Sequence, residues 1–247
     1  MNNHWKIKYF EKNTNESHIN IFRSLEIENY FKQLLKKQGF NLQNYRLHFS
    51  NSVLHIFLSI YKKNEKTLKL KKITKDLNKI NFKNILKNLT KFTNNKLHIT
   101  LKTIIINNPK RHINTNKTLQ NLYLHRFRIP EMKRLYFTLA TQPDSAKLLG
   151  TFIAEQLRIT KRHNFFLNSL NKSLSLLINQ KHFKIKGIKI LIKGRLNNAA
   201  RSRNRIFKLG KIPLLTENIK INYARSTAFT PNGTIGIQIW ISQESSP

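Results

Sequence analysis

From Gln156 to Thr216 the chain runs 61 residues without an aspartate or glutamate while carrying 15 lysines and arginines. This is no polar tail. Phe166, Leu170, Leu174 and Leu177 have helical spacing, and Ile188-Lys189-Ile190-Leu191-Ile192 reads as a strand. A fold made from such a stretch repels itself, so it is expected to sit beside a polyanion. The rest of the chain agrees: 46 basic and 11 acidic residues give a formal charge of +35 over 247 residues. Membrane-surface binding is the competing reading, but it shows as a basic amphipathic helix, and here the charge is spread along the chain. The expectation is nucleic acid and no membrane.

At 247 residues, 39% of them hydrophobic, the chain suffices for one large or two modest domains, each with its own core. It has no cysteine, which removes disulfides, zinc ribbons and thiol chemistry. Its nine histidines form no ligand-spaced pair, and no apolar run reaches transmembrane length. The first residues, Met1-Asn2-Asn3-His4-Trp5-Lys6, have neither a signal-peptide core nor the pattern of a transit peptide. Lysine outnumbers arginine 33 to 13, and asparagine, isoleucine and phenylalanine are abundant. This AT-biased residue usage suits an organelle-encoded protein.

Four segments are expected. Residues 1–24 read as a polar arm. Residues 25–106 read as an α/β domain: a helix at 25–38 closed by Gly39, strands at 45–49 and 53–61, a helical region at 73–92, and a strand at 97–106. Residues 107–143 read as an insertion or linker with one short helix after Pro130. Residues 144–247 read as helices at 145–159 and 165–180, then strands at 187–193, 200–208, 217–223 and 234–241. Asp144 or Ser145 would cap the first of those helices, and Pro231-Asn232-Gly233 would turn the chain into the last strand. The overall class is α+β, with two helices packed on a mostly antiparallel four-stranded sheet in the C-terminal domain.

The informative loop runs from Gly194 to Gly210. Arg201, Arg203 and Arg205 are two apart, so an extended strand would project all three guanidinium groups from one face, where they suit phosphate oxygens. Lys208 and Lys211 continue the basic surface around Gly210. The first domain has the element order of a type-two KH fold, which clamps single-stranded RNA with a Gly-x-x-Gly loop. Residues 40–149 contain no glycine, so this domain reads as a degenerate KH-like scaffold without its clamp. No catalytic constellation, P-loop or cofactor motif is present, so no enzyme activity, cofactor or metal is expected.

From Lys186 onward the chain closely resembles the C-terminal half of the universal small-subunit ribosomal protein number three family, of bacterial and organellar type. The residues that carry this are Gly187-Ile188-Lys189-Ile190, Gly194-Arg195-Leu196, Ala199, Arg203, Gly210-Lys211-Ile212-Pro213-Leu214, Ile221-Asn222-Tyr223 and the run Thr234 to Ile241. The resemblance implies a structural protein of the small-subunit head that binds rRNA, lines the path by which mRNA enters, and touches ribosomal proteins ten and fourteen. A helix that carries paired arginines and a lysine in the family holds Leu167, Asn168 and Asn171 here, with Lys172 retained. Arg158, Lys161 and Arg162 are the alternative source of that charge. The expected RNA-binding set is therefore Arg158, Lys161, Arg162, Lys172, Lys193, Arg195, Asn197, Asn198, Arg201, Arg203, Arg205, Lys208 and Lys211. The expected compartment is the mitochondrion, with the plastid as the alternative. A free RNA-binding or assembly factor, or an RNA-processing nuclease using His163 or His182, are the competing functions.

Overall fold

The computed structural model describes residues 7–9, 16–50, 52–62, 82–95, 97–106, 145–178, 185–216 and 219–243, together with Met132, Leu135, Tyr136, Thr138 and Leu139. The chain divides into two compact units, Met1–Asn108 and Pro109–Pro247.

The first unit contains β1 (Ile7–Lys8), α1 (Ser17–Lys37), β2 (Phe40–Phe49), β3 (Val53–Lys62), α2 (Phe82–Phe92) and β4 (His98–Ile105). The strands lie in chain order in one sheet, β1 parallel to β2, β2 antiparallel to β3, and β3 parallel to β4. Helix α1 buries Ser24, Ile27, Phe31 and Leu35, one face at three- and four-residue steps. That face meets Leu47, Leu54, Ile56 and Ile60 of the sheet and Ile85 and Leu89 of α2 in a single core. Two expectations shift. Residues 17–24, assigned to the arm, are helical, because no glycine or proline interrupts α1 and Ser24 already belongs to its buried face. Strand β2 begins at Phe40, five residues early, since Gly39 at φ +77° reverses the chain directly out of α1. The helical pattern at 73–80 lies outside the described residues.

The second unit contains α3 (Ala146–Ile159), α4 (His163–Ile178), β5 (Ile185–Gly194), a 3₁₀ turn (Leu196–Asn198), β6 (Arg203–Gly210), β7 (Ile221–Thr230) and β8 (Gly233–Gln243). The sheet order is β6-β5-β8-β7 and every pairing is antiparallel. Isoleucines 188, 190 and 192 of β5 stand opposite isoleucines 241, 239 and 237 of β8, and all six are fully buried. Burying each contributes about 1.5–3 kcal/mol. Among the described residues the layer is covered from one side: α3 lies over β7 and β8, and α4 over β5 and β6. Close approach is permitted by Gly150 of α3, where an added Cβ would sit 2.9 Å from the Ser226 hydroxyl of β7. Ser145 occupies the start of α3 but makes no side-chain cap; its carbonyl instead accepts the Leu149 N–H at 3.1 Å. Strand β6 starts at Arg203, three residues later than expected, and β7 extends to Thr230, because the Pro231-Asn232-Gly233 turn closes a long β7–β8 hairpin.

Residues ahead of α3 join this core. Met132, Leu135, Tyr136, Thr138 and Leu139 are helical and buried, and the Tyr136 hydroxyl hydrogen-bonds Ser173 Oγ of α4. Burial holds that phenol well above the usual tyrosine range, opposed by its bond to Ser173. At the far end of β6, Gly210 has φ +69°, and an added Cβ would overlap the Lys186 carbonyl. Gly210→Ala combines a left-handed alanine with that backbone overlap. It is expected to destabilise the second unit by about 2 kcal/mol or more. Chemical denaturation followed through Trp240, the unit's tryptophan, measures this.

Candidate nucleic-acid interface

Strand register decides which basic side chains meet. Gly194 pairs with Arg203, Ile192 with Arg205, and Ile190 with Phe207. Residues directly opposite share a face, so Arg203 and Arg205 lie on the helix-covered side of the sheet, on its edge strand. The expected row of three arginines is therefore two. Arg201 lies in the bend before β6, and Lys208 alternates to the opposite face beside Lys189. Lys211 follows the strand, with its N–H donating to the Lys186 carbonyl at 3.1 Å.

Arg203 and Arg205 line a cavity of about 180 Å³ with Asn164, Leu196, Asn197 and Ala199. No carboxylate is among these six residues. The cavity is shaped by the loop after β5. Asn197 and Asn198 both take the left-handed conformation, at φ 52° and 58°, which asparagine tolerates better than other side-chain-bearing residues. The Asn197 N–H donates to His163 Nδ1 at 3.2 Å, and Asn197 Oδ1 accepts the Asn164 N–H at 3.1 Å. The loop thus caps the first turn of α4, and the buried His163 serves as a structural acceptor. Arg195, though exposed, braces the loop: Nε donates to the Ala199 carbonyl at 2.9 Å and Nη1 to the Asn232 carbonyl at 3.4 Å. Asn198 Oδ1 accepts from Asn232 Nδ2, tying the same loop to the β7–β8 turn.

The expected residues thus separate by role. Arg203 and Arg205 line the cavity from β6, while Arg195, Asn197 and Asn198 hold the loop after β5 in place. Arg158, Lys161 and Arg162 are exposed at the junction of α3 and α4, the last of them two residues from Asn164. Lys172 is exposed eight residues further along α4, about 12 Å down its axis, and stands apart from the cavity. Of the positions matched to the family's basic helix, Leu167 is core at 1% exposure and cannot face a ligand. Lys193 is exposed on the uncovered side of the sheet. Asn164 and the contact of Lys189, 4.8 Å above the Trp240 ring, were missed by sequence reasoning; strand alternation through Ile188 and Ile190 was the available signal for Lys189. Among the described residues no group of three histidines or carboxylates could hold a metal, and no helix is long and apolar enough to cross a membrane. His182 lies outside the described residues.

Two guanidinium forks over a cavity lined also by asparagines can hold a phosphate-sized anion, and no acid–base pair accompanies them. The cap is testable. Asn197→Ala loses both the bond to Asn164 and the left-handed preference, and is expected to lower stability by about 1–2 kcal/mol. Asn197→Gly, which keeps the turn and loses only the cap, is expected to cost less in the same denaturation measurement.

The pattern described as "Ribosomal protein S3, C-terminal domain" matches residues 169–241, which span most of α4 and nearly the whole sheet. The chain is 34% identical over 151 residues to small ribosomal subunit protein uS3c of Physcomitrium patens, covering 60% of this chain and 65% of the relative. It is 40% identical over 94 residues to uS3c of Euglena longa, covering 37% and 41%. To uS3 of the bacterium Photobacterium profundum it is 35% identical over 96 residues, covering 39% of each. The chain thus spans about half the length of the relatives it matches. With residues 169–178 of α4, the Gly194–Gly210 loop and the four strands as far as Ile241 inside the matching region, the second unit is similar to the C-terminal domain of ribosomal protein S3.

Proposed function

We propose that this chain is a structural, non-catalytic constituent of a small ribosomal subunit, held there by rRNA. The observation that carries the reading is the arginine-lined cavity at the hairpin, carboxylate-free, whose lining falls almost entirely within the region that matches the S3 C-terminal domain. Phosphate neutralisation supplies most of the affinity, while the fixed forks of Arg203 and Arg205 set the register. Arg158, Lys161, Arg162 and Arg201 widen the positive surface around that cavity. Binding of mRNA where it enters the subunit, and docking against ribosomal proteins ten and fourteen, are the finer part of the proposal and rest on family resemblance alone.

The compartment proposed is an organelle. Several relatives are uS3c, the chloroplast-encoded form, which favours a plastid over the mitochondrion expected from residue usage. Fractionation decides it: small subunits from purified plastids are expected to contain the chain, and its confinement to mitochondrial subunits reverses the assignment.

Two further results are expected. The chain co-sediments stoichiometrically with purified small subunits; its absence from them would favour a free RNA-binding factor. Replacing Arg203 and Arg205 by alanine flattens the log–log salt dependence of rRNA binding by about 0.9 for each duplex phosphate no longer neutralised, a slope taken from B-DNA. An unchanged slope removes the cavity from the interface.

A further inference from the structure

Helices α3 and α4 cover the same side of the second unit's sheet, and among the described residues no helix lies on the other side. Strand register fixes what that side displays. One cross-strand row contains Lys208, Lys189, Trp240 and Tyr223. The next contains Ile206, Leu191, Gln238 and Arg225, and the third contains Asn204, Lys193, Gly236 and Thr227. Phe229 follows on β7, on the same face. The face holds four basic side chains, and no described residue in these rows is acidic. Its aromatics are presented outward: Tyr223 is 50% exposed and Phe229 is 70% exposed. The Tyr223 and Trp240 ring centroids lie 5.3 Å apart, with Lys189 over the Trp240 ring.

We propose that this open sheet face is a second RNA-binding surface, taking single-stranded RNA by stacking bases on Tyr223 and Phe229 while Lys189, Lys193, Lys208 and Arg225 neutralise its phosphates. The proposal rests on the RNA-binding reading for its ligand class but uses none of the cavity residues.

Three observations favour RNA over a protein partner. The cores of protein–protein interfaces are depleted in lysine, whereas here lysines stand on β5, one of the two inner strands of the face. Tyr223, Arg225, Thr227 and Phe229 recur every second residue along β7, about 6.6 Å apart, which gives a ladder of flat and cationic groups along one edge. Gly236 leaves bare backbone between Lys193 and Thr227. A Cβ there would meet no atom nearer than 3.9 Å, so the fold itself does not require glycine, and the gap accepts a flat group against the sheet. Open sheets with exposed aromatics and flanking cations bind single strands because every base has a face to stack.

The test uses the full chain with Trp5→Phe, which leaves Trp240 as the only tryptophan. The probes are a fluorescein-labelled twelve-nucleotide oligouridylate and a structured small-subunit rRNA fragment. Oligouridylate is expected to quench Trp240. Tyr223→Leu and Phe229→Leu, which keep apolar bulk, are each expected to weaken oligouridylate binding about tenfold with no change in salt slope. Gly236→Val is expected to weaken it similarly while leaving thermal stability intact, because a β-branched residue suits an unobstructed strand position. Arg203→Ala with Arg205→Ala is expected to weaken the structured fragment instead.

A chain that binds the rRNA fragment but neither binds oligouridylate nor loses affinity in these variants overturns this proposal and leaves the cavity reading standing. A chain that binds neither RNA overturns both. A photo-reactive p-benzoylphenylalanine at position 229, irradiated in purified small subunits, is expected to attach to RNA. Attachment to a neighbouring protein identifies the face as a protein dock and overturns the proposal.

Discussion

The pairing of β5 with β8 governs the second unit. Isoleucines 188, 190 and 192 meet isoleucines 241, 239 and 237 in a fully buried layer. Side chains alternate strictly along a strand, so the same register that buries these six sends Lys189, Leu191 and Lys193 to the other face. A one-residue slip would bury the lysines and expose the isoleucines, which makes the register strongly specified. Every later placement follows from it. Arg205 stands beside Ile192 and therefore under α4, while Lys208 stands beside Lys189 on the uncovered face.

That apolar layer also explains how a domain so short of carboxylates folds at all. Two guanidinium charges two residues apart on a strand, about 6.6 Å, repel by roughly 0.6 kcal/mol in bulk water. Salt at about 0.15 M screens exposed charges beyond about 8 Å. Each such pair is thus weaker than the burial of a single isoleucine, about 1.5–3 kcal/mol. Packing wins locally. The repulsion is nevertheless summed over many pairs, and the 2.7 Å ion pair of Glu28 with Lys32 belongs to the first unit, where it does nothing to offset that sum. A polyanion that binds the folded second unit would remove this cost, so its binding would stabilise the fold.

The parts of this architecture that were legible in the sequence are those set by local periodicity. The α3–α4 pair and the isoleucine-rich strands announce themselves through 3.6- and 2-residue repeats, and Pro231-Asn232-Gly233 through turn chemistry. What escaped depends on pairing across distance. Whether Arg201 belongs to β6 is decided by where the loop from Gly194 lets pairing with β5 begin. The role of Asn197 as a cap for α4 links positions 33 residues apart. The bonds of Arg195 to the Ala199 and Asn232 carbonyls, which tie its loop to the β7–β8 turn, also depend on a partner 37 residues on and leave its remaining N–H donors exposed. Likewise Tyr136 reads as part of an irregular segment until Ser173, 37 residues on, supplies its hydrogen bond.

The first unit sharpens the division of labour. With no glycine between residues 40 and 149, its backbone has no bare stretch there to lie against phosphates as a Gly-x-x-Gly loop does. Side chains are the other source of contacts, and the face of its sheet opposite α1 carries basic ones: Arg46 pairs with Phe57 and His48 with His55. Partial burial, together with Lys8, His55 and Arg46, depresses the pKa of His48. Raising the cost of adding charge to His48 is what crowded positive groups do when no carboxylate is near. A nearby phosphate would reverse that sign and draw the imidazole towards its charged form. The charge state of the first unit's sheet face opposite α1 would thus respond to a bound polyanion, whereas the asparagine-built loop and the paired arginines of the second unit offer a fixed geometry.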